Sequence, residues 1–135
     1  MRSSILFLYC FTSILIGQVG QATFTTTEIA GGLTQAETIF IADLDNDGDL
    51  DIVSGTEDDK IHWHENDGGA TPSFSANLIT SNKDGVFSVF AADMDNDGDM
   101  DIISASAYDD AITWYENDGN VNPSFSVIDI ATSAD

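Results

Sequence analysis

"DLDNDGDLD" occupies residues 43–51, and "DMDNDGDMD" at residues 93–101 repeats it with methionine in place of leucine. Each stretch sets carboxylates on alternate positions and places a glycine, Gly48 or Gly98, after the third. Ionised carboxylates held this close repel one another, so a folded chain that carries them needs a positive charge among them. Calcium takes about six to eight hard oxygen ligands from a backbone that turns sharply around the ion. Alternation supplies the oxygens and glycine permits the turn. The reading assigns Asp43, Asp45, Asp47 and Asp51 as side-chain ligands of a first Ca2+, with Asp49 contributing its carbonyl. Asp93, Asp95, Asp97 and Asp101, with Asp99 by its carbonyl, form a second site.

Rival readings of these loops fail on particular residues. An EF-hand needs a bidentate Glu at its twelfth position and flanking helices. Here that position is Ser54 or Ser104, and the flanks "IFIAD" and "LDIVSG" alternate like strands. Dockerin-type loops also run into helices. Magnesium prefers fewer protein oxygens, and zinc wants His or Cys, which the loops lack. Solvated acidic turns would not explain two copies with every ligand position filled.

The bulk composition agrees with a cation as partner. The chain has 24 Asp plus Glu against 3 Lys plus Arg, a formal charge of -21, which excludes nucleic acid and anionic lipid as electrostatic partners. Disorder is disfavoured by a hydrophobic content of 42% and by strand-like alternation. Residues 1–22 stand apart: Arg2, the apolar run "ILFLYCFTSILI" and small residues before Thr23 read as a secretory signal peptide. The single cysteine, Cys10, lies inside that leader, so the mature chain has no disulfide to rely on. These features predict a secreted or cell-surface protein with no membrane insertion after cleavage.

A period of about fifty residues runs through the rest. "IFIADLDNDGDLDIVSGTEDDKIHWHENDGGATPSFSANLI" at 39–79 aligns with "VFAADMDNDGDMDIISASAYDDAITWYENDGNVNPSFSVIDI" at 89–130, with a one-residue insertion near "GTEDDK" and "ASAYDDA". Each unit holds four short runs rich in β-branched and aromatic residues, in the second unit 89–93, 100–106, 111–117 and 124–130. No helical period appears beyond the leader. Four strands per unit predict an all-β fold of β-propeller blades, each a four-stranded antiparallel sheet stacked on its neighbours. The repeats are placed at 36–80 and 81–131. Residues 23–35 are read as an orphan outer strand, "TFTTTEI" at 23–29, and a linker; 132–135 would begin a linker to another repeat. About two blades with open edges predict part of a larger propeller, with self-association as the alternative.

The pattern D-x-D-x-D-G-x-x-D between two strands, in units that end with "WYENDG" and "NPSF", resembles the FG-GAP/VCBS repeat family, whose best-known relatives are the integrin α-subunit propellers. The resemblance covers Ile39 to Ile130. It implies a propeller, often seven-bladed, with calcium clipped into the loops that join the first two strands of a blade. "VSGTED" and "ISASAY" stand where a Gly-Ala-Pro signature would fall, which favours the VCBS-like branch over integrin-type adhesion.

Other residues carry less. His62 and His64 alternate around Trp63 and should share one strand face, but the second unit has Thr113 and Tyr115 there, so a solvated or inter-blade position is favoured over a transition-metal site. Trp63 and Trp114, like Phe74 and Phe125, recur at fixed positions, which suits packing between sheets better than a sugar-binding platform. The "NDG" triplets read as hairpin turns. No nucleophile elbow, phosphate-cradling loop or zinc-hydrolase motif is present. The expectation is a non-enzymatic calcium-binding scaffold for a protein or carbohydrate ligand. A propeller enzyme such as a polysaccharide lyase, or a cell-surface adhesion protein, is the alternative.

Overall fold

The computed structural model describes residues 26–31 and 33–132. The leader reading at 1–22 and residues 133–135 of the linker expected at 132–135 lie outside the described residues. So do residues 23–25 of the expected outer strand, and its remainder, 26–29, carries no strand.

The described residues form two four-stranded antiparallel sheets and no helix. The first blade runs β1 (Ala36–Ala42), β2 (Asp51–Thr56), β3 (Ile61–Asn66) and β4 (Phe74–Thr80), each strand paired with the next. The second runs β5 (Val86–Ala92), β6 (Asp101–Ser106), β7 (Ala111–Asn117) and β8 (Phe125–Ala131) in the same order. β-branched and aromatic residues fit the pleated surface of a half-buried sheet, and they make up most of β1, β5, β7 and β8. Bulges recur at matching places, between Ala36 and Thr38 as between Val86 and Ser88, and between Ile61 and His62 as between Ile112 and Thr113.

The inserted residue sits in the turn between the second and third strands. Thr56 meets Lys60 across Glu57, Asp58 and Asp59, whereas Ser106 pairs with Ala111 across Ala107, Tyr108, Asp109 and Asp110. One extra residue there leaves both sheets in register.

Because paired residues point to the same side of a sheet, each blade has two distinct faces. In the first blade Phe40, Val53 and Trp63 share one side, and Ile41, Ile52 and His64 share the other. The second blade lays the face bearing Val89, Ala91, Ile102 and Tyr115 onto the Val53–Trp63 side of the first, with β5 against β1 and β2. Gly55 marks the closest approach: a Cβ there would lie 2.6 Å from Val86 Cγ1 and 3.2 Å from Val89 Cγ1. The Thr38 hydroxyl accepts a hydrogen bond from the Val89 amide at 3.3 Å across the same junction. The apolar core therefore lies between the blades rather than within either one. Trp63 is buried in it, as its recurrence suggested.

The "NDG" segments are wider turns than a two-residue hairpin. Asp67 folds the Asp67–Ser73 loop around its own carboxylate, accepting from the amides of Ser73 and Gly69 at 2.9 and 3.1 Å and from the Ser73 hydroxyl at 2.6 Å. Asp118 does the same for Ser124 and Asn120. The serine hydroxyls, followed by the amides, hold both carboxyls below the usual carboxylate range.

Candidate metal centres

Each acidic loop joins the first strand of a blade to the second, at the same end of both sheets. Asn46 and Asn96 take left-handed backbone conformations at φ 59° and 65°, followed by Gly48 and Gly98 at 96° and 103°. Asn tolerates the first conformation, and glycine takes the second without a Cβ penalty. The chain thus coils so that three carboxylates of each loop draw together.

Oxygens of Asp43, Asp45 and Asp51 lie within 4.8 Å of one another in the first loop, and those of Asp93, Asp95 and Asp97 do so in the second. Asp43 accepts from the Gly48 amide at 3.0 Å through Oδ2, which leaves its Oδ1 buried with no protein partner. Asp45 and Asp95 each accept from the amide two residues on, at 3.3 and 3.2 Å. Asp47 and Asp97 accept from the Asp49 and Asp99 amides at 2.8 and 2.9 Å. Desolvation raises the Asp45 and Asp95 carboxyls above their ordinary value, and the neighbouring aspartates add to the rise. A divalent ion would reverse that balance.

The remaining loop acids stand differently. Asp51 and Asp101, each 1% exposed, spend both oxygens on backbone amides. Asp51 accepts from Leu44 at 3.1 Å and Asn66 at 2.8 Å; Asp101 accepts from Met94 and Asn117 at the same two distances. They tie each loop to the third strand of its blade. Asp51 still joins the first cluster, whereas Asp101 is outside the second. Asp47 is likewise outside the first. The side chains of Asp49 and Asp99 turn away toward Gly68 and Gly119, where an added Cβ would lie 2.0 and 2.1 Å from a carboxylate oxygen. That leaves their carbonyls as the groups available to the loop.

Asn117, part of an "NDG" turn, and Asn46, which the sequence reading does not single out, link the two loops. Asn117 Nδ2 donates to the Met100 carbonyl of its own blade at 3.0 Å and to the Leu44 carbonyl of the first loop at 2.8 Å. Asn46 Nδ2 reaches Asp99 Oδ1 at 2.6 Å. The signal was present as the repeated "EN" before each "DG", but only the stacked blades show what it contacts.

The histidines share a face, with ring centroids 6.0 Å apart and planes inclined by 28°. His64 Nε2 shares a hydrogen bond with the Ser54 hydroxyl at 2.8 Å, the place where Tyr115 and Ser104 meet at 3.3 Å in the second blade. Burial lowers both imidazoles below their ordinary value, and neither joins a metal-sized cluster among the described residues.

Two stacked four-stranded sheets with a sharply coiled acidic loop after each first strand define a repeat protein of propeller-blade type. The FG-GAP-like repeat family model matches residues 43–104, from the first carboxylate of one loop through the whole of the other, so that stretch carries an FG-GAP-like repeat. No significant match was found among curated proteins or among solved structures. Among the described residues no helix is long and apolar enough to cross a membrane.

Proposed function

We propose that the chain is a secreted, calcium-stabilised scaffold whose blades present a binding surface to a protein or carbohydrate ligand, with one Ca2+ in each acidic loop. The observation that carries this reading is the inward convergence of Asp43, Asp45 and Asp51, with Asp43 Oδ1 buried and unpartnered beside two like charges. Such a cluster costs stability when empty and is satisfied by a hard dication. When bound, calcium supplies the positive charge that the loop lacks. Asp43, Asp45 and Asp51 hold it in the first loop and Asp93, Asp95 and Asp97 in the second. Asp47, Asp101 and the carbonyls of Asp49 and Asp99 complete the sets that the sequence assigns.

The ligand set does not exist in the unfolded chain, so binding free energy adds to folding free energy. Extracellular calcium modules bind at about 0.1 to 1 mM. An ion at ten times its Kd adds roughly 1.4 kcal/mol per site, so two sites should raise Tm by about 10 °C or more. Thermal unfolding in calcium and in chelator measures this, with isothermal titration giving the stoichiometry. Asp47→Ala and Asp97→Ala should each remove much of the calcium-dependent gain. A Tm indifferent to chelator would sink the reading.

A further inference from the structure

The junction between the two blades provides a residue-by-residue template for the two outer faces on which no blade lies among the described residues. On the open face of the first blade, Ile39 is 63% exposed, whereas Val89, which stands at the same strand position in the second blade, is 5% exposed beneath its neighbour. Ile41 and the buried Ala91 differ in the same way. On the open face of the second blade, Ile112 is 45% exposed where its counterpart Ile61 is 0%. Phe90 and Trp114 there repeat the places of Phe40 and Trp63. At Ile39, Ile41, Phe90, Ile112 and Trp114 the outer faces thus repeat positions of the internal junction, whereas Ser54 and His64 on the Ile39–Ile41 side are already only 2% exposed.

The small residues at the closest approach change together. At the internal junction Gly55 faces Val86, with no room for a Cβ. At the open ends the corresponding residues are Ala105 and Ala36, so the methyl gained on one side is matched by the smaller side chain on the other. The apolar character also suits contact: where Asp129 pairs with Lys83 at 2.6 Å over the buried face of the second blade, the first blade has Leu78, 55% exposed, and Leu33 in the corresponding places.

We infer that the Phe90–Trp114 face of one chain docks on the Ile39–Ile41 face of a second copy, continuing the blade stack head to tail. The contact is heterologous, so it closes into a ring when the rotation per copy permits. Propellers of about four to eight blades would correspond to two to four copies. The inference concerns apolar faces and stands apart from the calcium reading.

Cysteine pairing tests it directly. Thr38 and Val89 touch across the internal junction, and Ser88 and Ile39 are their counterparts at the open ends. The full chain carrying Cys10→Ser is prepared with Ser88→Cys alone, with Ile39→Cys alone, and with both, in about 1 mM calcium. Under a mild thiol oxidant, a mixture of the two single variants should give a linked dimer, while neither single variant links by itself. The double variant should give higher linked species. Sedimentation of the Cys10→Ser parent should show a mass that rises with concentration to two or more copies. Linking by either single variant alone would mean face-to-face packing and overturn the inference. A single-chain mass at every concentration with no linked species would overturn it too, leaving the faces to further blades or another partner. Circular dichroism of each variant, checked against the parent, separates loss of docking from loss of folding.

Discussion

The two acidic loops have nearly the same sequence and very different surroundings. Leu44 in the first is 1% exposed, and Met94 in the same place of the second is 45% exposed. Asp45 is buried where Asp95 is exposed. The difference comes from the neighbouring blade: the second blade reaches over the first loop through Asn117 and Asp99, and nothing among the described residues does so for the second loop. A repeat unit therefore does not determine its own burial. Its position in the stack does.

Truncation at the paired positions should expose this contrast most strongly. Leu44→Ala should cost about 3 kcal/mol by leaving a cavity in the core, while Met94→Ala should cost less than about 1 kcal/mol. Urea unfolding of the two variants compares them, and equal losses would break the contrast. Next in size are the asparagines. Asn117→Ala removes a buried contact between the blades and should cost about 2 kcal/mol; Asn66→Ala, whose side-chain nitrogen donates only to the Leu50 carbonyl of its own blade at 3.1 Å, should cost about 1 kcal/mol or less. Calcium binding sharpens the comparison, because Asn117→Ala frees the first loop as well and should weaken both sites in a titration.

The smallest effect concerns pH, at the place where His64 and Tyr115 correspond. Burial depresses the folded His64 value below its unfolded one, so the neutral form stabilises the fold above about pH 6.5. That contribution is lost as pH falls through the unfolded value, because the unfolded chain takes up the proton more readily. Burial raises Tyr115 instead, so its counterpart loss falls on the alkaline side. His64→Phe should flatten the stability profile between about pH 7 and 5. An unchanged slope would place the acid sensitivity elsewhere.

Most of the architecture was legible in the residues. The run "AITWYEN" coincides with β7, and "SFSVIDI" lies one residue from β8, because alternation of apolar and polar side chains is a local property of a half-buried strand. The insertion also fell where expected, since a turn absorbs a residue without disturbing the ladder. What local pattern could not show was contact between units. Asp51 and Asp101 look like any other loop carboxylate in sequence, yet they spend both oxygens on amides of two different elements. Asn46 and Asn117 act across the blade junction, a relation that exists only once the sheets are stacked.

The missing Cβ at Gly55 has a consequence for how such a gene can change. Tandem repeats exchange and multiply by unequal crossing-over, which joins the front of one unit to the back of another. A crossover that set Ala105 against Val86 would drive a methyl group toward a site where a Cβ already lies 2.6 Å from Val86 Cγ1. Each junction is therefore marked by a matched pair of residues on separate units, and recombinants that mix the pairs start with a steric defect. Mutation can then alter each junction independently, and neighbouring units lose their interchangeability before they lose their likeness.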